Sequence, residues 1–378
     1  MRLRGLRFRP KDETQVSAEA LRIVDVCWSG AVGLAMTDML RGAYFSTLQL
    51  QLALRCGERQ RVARTLGLEA TFISCGGVPA ARRTQRILTL LRRHLSQTSS
   101  PYAEAWLTTS EGFSAFQLAD FPRAHAGFVK AEKLFRDHCR LASHEVSSTQ
   151  LFTLWTLFWR GELGELRTRV PVLLLDAEQR GDRYTATNLR TGTPSAGWLV
   201  DDTPDLAEQH IERAQSEWTP GGDAAPELSP SVWRNTRRLL WTVQIIRIEA
   251  THLQARLQLR YGKGTERAQA LTAAIRQLRR ERTPLAAAFA GVTEAAIARA
   301  QGADDRAGGL LAQAATLFEG LEMAAFSAAA HWHHGRITGG DEGRLEVAKA
   351  ESYAARQGIR SWDRFAMMLL PGMADDRA

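Results

Sequence analysis

Apolar residues recur along most of the chain at intervals of three and four positions, the spacing of one face of an α-helix. Short segments containing glycine, proline or aspartate separate these stretches. Breaks this short join antiparallel neighbours, because few residues are needed to reverse the chain. They occur at 57–58, 76–79, 120–122, 161–162, 201–204, 302–304 and 339–341. The pattern predicts an all-α protein of stacked antiparallel helical hairpins.

Three segments, each interpreted as the second helix of a hairpin, share one order of small and large side chains. Offsets 0, 4, 7 and 11 fall on one helical stripe and carry small, large, small and large residues in segments beginning at Ala124, Ala207 and Ala307. Twelve positions earlier stand Gly112, Ser195 and Ala295. Small residues let two helices approach, and bulky ones fill the gap to the next hairpin. This predicts a tetratricopeptide-like α-solenoid; an irregular helical bundle is the alternative.

Local signals also predict the limits of the array. The Pro/Gly-rich stretch 219–230 is predicted to be a loop between two halves, 21–218 and 231–370. Residues 1–20 are interpreted as an N-terminal connecting segment, and residues 371–378 as a tail after the stop at Pro371. Asp120 and Thr203 are predicted to cap helices, with Pro204 at a first helical position.

The formal charge is +8, and 44 of the 49 basic residues are arginine because only five are lysine. Arginine is scattered rather than blocked, which favours a solvated surface of salt bridges. The other interpretation is a groove for nucleic acid or acidic ligands. We therefore do not expect a nucleic-acid partner, but we keep an Arg-rich nucleic-acid-binding transcriptional regulator as the alternative function. A continuous arginine face would favour that alternative.

The cellular setting follows from features that are missing from the sequence. No run of about 18 apolar residues occurs, so we expect no membrane span. The N-terminus lacks the long apolar core of a secretory signal. Four cysteines without metal-ligand spacing indicate a reducing compartment. Together these features predict a cytoplasmic protein.

No motif predicts catalysis, a metal or a cofactor. Lys263 and Thr265 lie near glycines but lack phosphate-loop spacing, and the kinase motifs His-Arg-Asp and Asp-Phe-Gly are absent from the sequence. His331 and His334 lie one helical turn apart, yet no carboxylate or thiolate stands at matching spacing, so they are interpreted as a surface cluster. Cys139 follows a histidine, but neighbours on a helix diverge. The sequence predicts a protein that is not an enzyme.

The candidate binding residues are polar or aromatic side chains near apolar helix faces. They form two groups in the sequence: Asp25, Trp28, Asp38 and Arg41, and further on Asn188 and Arg190. Asp38 and Arg41 lie three apart and are predicted to pair within a helix. Structural hydrogen bonds are one interpretation of both groups. A ligand or partner pocket on the inner face of the array is the other.

Several longer motifs, in this order, carry a family resemblance. They are residues 4–9 (RGLRFR), 23–29 (IVDVCWS), 41–43 (RGA), 186–192 (ATNLRTG), 244–250 (QIIRIEA), 357–360 (QGIR) and 364–372 (RFAMMLLPG). The chain resembles the C-terminal helical-repeat region of large bacterial serine/threonine protein kinases. Those proteins also carry an N-terminal kinase domain and a central P-loop ATPase.

The resemblance implies a sensor or scaffold module rather than a kinase, because the family's phosphoryl-transfer motifs map onto no position of this chain. Binding would then favour one packing of the helices over another. The implied partner is a protein, such as a kinase or ATPase in trans, or a small-molecule ligand. The opening residues 1–4 read like the interior of a longer protein, so we expect a truncated, split or late-starting product.

Overall fold

The computed structural model describes residues 5–34, 38–96, 100–218 and 240–373. Within these ranges the chain forms eighteen α-helices and no β-strand; one isolated bridge joins Lys11 to Glu58. The predicted all-α helical-repeat class is therefore confirmed. In the same ranges, no helix combines the length and the hydropathy needed to cross a membrane.

The helices form two compact units. The first contains the described residues of Met1–Gln150 and Pro230–Ile245. In it α1 packs on α2, α3 on α4 and α5, and α5 on α6. Its helices are α1 Ala18–Leu34, α2 Met39–Cys56, α3 Arg59–Ser74, α4 Ala81–Leu95, α5 Pro101–Gln117, α6 Phe121–His138 and the first part of α7 Ser143–Arg160.

The second unit contains the described residues of Leu151–Ser229 and Ile246–Ala378. From α13 to α17 each helix packs on the next, and α18 packs on α16. Beside the rest of α7 it holds α8 Leu163–Gln179, α9 Arg183–Arg190, α10 Ala196–Val200, α11 Pro204–Trp218, most of α12 Gln244–Tyr261, α13 Gly264–Glu281, α14 Pro284–Ala300, α15 Asp304–Gly320, α16 Ala324–Thr338, α17 Gly340–Gln357 and α18 Trp362–Leu369.

Local sequence sets many helix ends. The Asp120 carboxylate accepts a hydrogen bond from the Arg123 amide at 3.3 Å, which confirms the predicted cap of α6. Pro204 is the first residue of α11, as predicted. The hydroxyl of Thr203 instead donates to the Trp198 carbonyl at 2.8 Å, tying the turn to α10.

The small-and-large stripe is buried in two of the three predicted copies. All four stripe residues of α6, from Ala124 to Phe135, are buried, as are those of α15, from Ala307 to Phe318. Where α5 meets α6, a Cβ added to Gly127 would lie only 3.0 Å from the Gly112 Cα. The two backbones are therefore almost in contact, which the small residue at position 112 was expected to allow.

The second copy departs from the prediction. Ser195 lies in a half-exposed 3-10 turn, Thr193–Ser195, instead of a long helix facing α11. Pro194 explains the break, because proline removes an amide donor and clashes with the preceding helical turn. The close approach moves to Gly197, where an added Cβ would lie 3.6 Å from the Arg167 Cα of α8.

Some predicted segments fall where nothing is described. The predicted loop 219–230 and the last five residues of the predicted tail lie outside the described residues. The predicted connecting segment 1–20 contains a short 3-10 turn, Glu13–Gln15, and the first residues of α1.

The contact between α5 and α6 generates a paired prediction. Gly127→Ala should destabilise the protein by about 1–3 kcal/mol, because the new methyl group overlaps a backbone rather than a flexible side chain. Gly309→Ala on α15 meets nothing within 4 Å and should stabilise by about 0.5–1 kcal/mol through helix propensity. Urea unfolding of both variants measures the change in the free energy of unfolding relative to the wild type. Equal changes in the two variants would contradict the close backbone contact.

Candidate ligand-binding cleft

Asp25 and Trp28, two predicted binding residues, lie in a network between α1, α3 and α5. Asp25 accepts from Arg61 at 3.0 and 2.8 Å and also pairs with Arg64. Burial alone would raise the pKa of Asp25, but the two arginines outweigh it and hold that pKa below its ordinary value. Trp28 is buried, with the Trp106 ring 4.8 Å away and the Arg64 guanidinium over its face at 4.9 Å. The chain's own groups hold both residues.

Asp38 and Arg41 form the predicted pair at the start of α2. The Asp38 carboxylate accepts from the Arg41 amide at 3.0 Å and lies 3.4 Å from its guanidinium. The Arg41 side chain is exposed. The pair therefore caps a helix, which requires no ligand.

Asn188 and Arg190 share α9 but have separate partners. The Asn188 amide donates to the Tyr184 carbonyl at 2.8 Å, within the helix. Arg190 is fully buried and forms ion pairs with Glu178 of α8 and Glu217 of α11. Carboxylates on both sides compensate its charge, so it joins three helices.

A cleft of about 580 Å³ opens elsewhere in the second unit. Its volume lies within the roughly 300–1,000 Å³ of small-molecule sites. Its walls come from the α10–α11 turn, from α12 and from α18 with its flanks: Leu199, Asp202, Pro204, Leu253, Arg256, Leu257, Arg260, Tyr261, Ser361, Arg364, Phe365, Met367, Met368 and Pro371. None of these residues was a predicted binding residue. They come together only in the folded chain.

One wall of the cleft is an exposed apolar stripe on α12. Leu253, Leu257 and Tyr261 follow one another at intervals of four, so they lie on one side of the helix. Their exposed fractions are 50%, 48% and 73%. Grouped large apolar side chains in contact with water are typical of a surface that binds something.

Arg256 lies on the same helix, is half-buried and also lines the cleft. One terminal nitrogen donates to the Met368 carbonyl, whereas Nε is buried without a hydrogen-bond partner. No carboxylate of the described chain pairs with it, and burial lowers its pKa. In contrast, burial lowers the pKa of Arg61 but its carboxylate partners outweigh it and raise that pKa, and Glu281 likewise raises the pKa of Arg247. Arg256 is thus a partly buried cation without a counter-ion among the described residues, an arrangement that costs free energy.

The mouth of the cleft is also basic. Arg260 is exposed and has no ion pair within the described ranges, while Arg364 contacts Asp202 at 3.2 Å. With Arg256, three guanidinium groups therefore face a single carboxylate. The cleft carries an excess of positive charge that favours an anion.

Two further ionisable groups precede Arg256 on α12: the buried His252 and the partly buried Glu249. His252 stacks on the Phe289 ring at 3.8 Å, and neither ring nitrogen has a hydrogen-bond partner. Burial and then the charge of Arg256 lower the pKa of His252 well below its ordinary value, so the ring is neutral. Burial raises the pKa of Glu249 to about 8. Uncompensated groups of this kind are typical of functional sites.

A second candidate surface lies on α4 in the first unit, which we call the α4 arginine face. Arg82, Arg86 and Arg93 are exposed at offsets 0, 4 and 11, within one narrow stripe. None of the three has an ion pair in the part of the chain that is described. Their neighbours Arg83 and Arg92 pair with Glu69 and Glu111.

The histidine pair predicted as a surface cluster has acidic partners that the sequence did not indicate. His331 contacts Glu319 at 2.8 Å and also Glu346, and His334 lies 3.6 Å from Glu346. Burial lowers the pKa of His331, but the two carboxylates outweigh it and raise that pKa. Glu319 and Glu346 come from the neighbouring α15 and α17, so sequence spacing could not reveal them. No group suited to a metal ion occurs among the described residues.

Comparison of the chain with protein-family models, with curated proteins and with solved structures finds no match. What the chain does has to be argued from its own residues and their geometry.

Glu249 generates a prediction about pH. Its pKa of about 8 exceeds the ordinary value of 4.5, so the unfolded chain releases this proton at lower pH than the folded protein. Stability should therefore fall as pH rises from 5 to 8, and Glu249→Gln should remove about 1–4 kcal/mol of that fall. Urea titrations across this range measure the difference, with the exposed Glu322→Gln as control. Parallel curves for wild type and Glu249→Gln would rule the effect out.

Proposed function

We propose that the chain is a non-catalytic binding module of helical hairpins, whose cleft in the second unit receives a small-molecule ligand. Through the sequence resemblance, we further propose that it is the sensor or scaffold part of a bacterial serine/threonine kinase signalling protein, separated from the kinase and ATPase domains. A protein partner, such as a kinase or ATPase in trans, would then respond to the ligand.

The observation that carries this proposal is the cleft itself. It combines apolar walls, a volume suited to a small molecule and one partly buried guanidinium without an anion. A stable protein ordinarily pairs such a cation, as the buried Arg190 and the partly buried Arg247 are paired here. The exception lies where a ligand has room to bind.

The thiols support the non-catalytic part of the proposal. Burial raises the pKa of Cys75 to about 11, and it also raises the pKa values of Cys27 and Cys139. A thiol acts as a nucleophile in its deprotonated form, so these cysteines are poorly suited to catalysis near neutral pH. The four charged residues of the predicted sites, Asp25, Asp38, Arg41 and Arg190, are all engaged in ion pairs.

The cleft is suited to a sensor because its walls come from distant parts of the sequence. Leu199, Leu257 and Phe365 belong to three separate segments of the second unit. A ligand that contacts all three stabilises the arrangement that holds them together, and can shift the protein between conformations to that extent.

Blocking the cleft tests the proposal. A metabolite library screened by thermal shift should yield ligands that stabilise the wild type. Leu257→Glu should lower their affinity at least tenfold, because it places a charge on the apolar wall, whereas Leu345→Glu at a leucine of α17 with similar exposure should not. Equal loss in both variants would contradict binding in the cleft. Phosphate transfer from ATP by the purified protein would contradict a non-catalytic module.

The α4 arginine face favours a second candidate function, the nucleic-acid-binding regulator. Unpaired guanidinium groups spread over about 16 Å of helix, at 1.5 Å per residue, could contact successive phosphates. Against it stand the many arginines elsewhere that pair with carboxylates, such as Arg299 with Asp304 and Arg167 with Asp201. This function is therefore the alternative.

Charge removal distinguishes this alternative. If nucleic acid binds at α4, the triple substitution Arg82→Gln, Arg86→Gln and Arg93→Gln should weaken binding. It should also reduce the slope of log affinity against log salt by up to about 3. Replacing Arg276, Arg280 and Arg306, also exposed, removes the same charge from other helices and serves as control. Fluorescence anisotropy with labelled DNA and RNA measures both quantities. Absent binding, or equal loss in both triples, would exclude the α4 face.

A further inference from the structure

We propose that the cleft of the second unit binds an anionic amphiphile: a molecule with one carboxylate head and a hydrocarbon body. The head contacts Arg256, and the body lies along the apolar walls. This inference rests on the proposed function and specifies the chemistry of its ligand.

The charge of the ligand follows from Arg256. Its guanidinium lines the cleft, makes one hydrogen bond, to the Met368 carbonyl, and has no carboxylate partner among the described residues. A carboxylate is the natural complement, because its two oxygens accept from the planar fork of an arginine. A cationic ligand would add to the charges of Arg256, Arg260 and Arg364, which Asp202 alone opposes.

The body of the ligand follows from the walls. Nine of the fourteen lining residues are leucine, proline, phenylalanine, methionine or tyrosine. A small hydrophilic anion would leave them in water, whereas a hydrocarbon chain buries them. Met367 and Met368 have flexible, polarisable side chains that adapt to chains of different shape.

The size of the site favours a small molecule over a protein surface. Stable protein interfaces bury about 800 Å² on each partner, whereas the exposed apolar stripe of α12 consists of three residues. A cleft of about 580 Å³ matches the size range of small ligands. The charge, the walls and the volume of the cleft thus favour a ligand with a negative head, an apolar body and a limited length.

Calorimetry with three matched probes tests the ligand class on the full chain. Dodecanoate, dodecanol and dodecyltrimethylammonium share one hydrocarbon chain and differ in the charge of the head. Below their micelle concentrations, dodecanoate should bind one to one and at least tenfold more tightly than dodecanol, with the cation weakest. Acetate, which has the head alone, should not bind measurably.

Substitution of Arg256 locates the head group. Arg256→Met should reduce the affinity for dodecanoate to that for dodecanol and leave the latter unchanged, whereas Arg256→Lys should retain part of the preference. Arg276→Met on α13 is the control and should change neither. Without ligand, Arg256→Met should also raise the melting temperature, because it removes a partly buried charge that has no counter-ion. Arg190→Met should lower the melting temperature, because it removes the buried cation between Glu178 and Glu217 and leaves both carboxylates to Arg213 alone.

The outcomes separate this inference from the proposed function. If dodecanol binds as tightly as dodecanoate, and Leu257→Glu weakens both, the cleft binds ligands but the anionic class is wrong. If neither these probes nor the metabolite library binds, the proposed function fails as well. Dimers in sedimentation that Leu257→Glu disperses would show a second copy of the chain in the cleft, which would overturn the inference. The comparison of probes on the wild type decides the class even if Arg256→Met does not fold.

Discussion

The close approach of paired helices at small side chains determines where most other groups of this protein can lie. Gly112 and Gly127 bring α5 and α6 almost into backbone contact, and the Phe128 ring lies against Gly112. On α14 and α15, Ala295 and Ala314 are completely or almost completely buried. Since interiors are packed as densely as organic crystals, each helix is positioned by its neighbours and holds its side chains in fixed places. Such a scaffold can hold a polar side chain in an apolar environment, whereas in a looser structure that side chain would move into water.

The buried Arg190 and the partly buried Arg61 and Arg247 depend on this rigidity. Arg61, Arg190 and Arg247 each meet carboxylates from other helices, and these pairs link segments far apart in sequence. Such a pair adds little net stability, but removal of one partner is costly. Arg256 has the same kind of setting without the carboxylate. Features that do not favour folding, such as an unpaired charge away from water, are expected mainly at functional sites, and Arg256 lines a cleft.

What could be predicted from the sequence was local. The helical period, the Asp120 cap and the Asp38–Arg41 pair depend on residues three or four apart, and the structure contains all of them. The prediction for the second copy of the stripe was wrong because it considered only side-chain sizes. Pro194 instead breaks the helix through its effect on the backbone. The cleft was missed because its walls come from segments up to about 170 positions apart. The sequence does not distinguish Arg256 from the other arginines, because whether an arginine has a carboxylate partner depends on tertiary contacts.

The hydrogen bonds at the cleft suggest how occupancy would be communicated within the second unit. Arg256 on α12 donates to the Met368 carbonyl at the end of α18, and Arg364 of α18 pairs with Asp202 of the α10–α11 turn. The Arg360 amide donates to the Val200 carbonyl at 3.0 Å. An anion bound at Arg256 would compete with the Met368 carbonyl, and one bound nearer the mouth would compete with Asp202 for Arg364. Binding would then exchange the contacts that join α18 to its neighbours, so the free energy of binding would depend on the position of α18, which is the condition for a ligand to shift it.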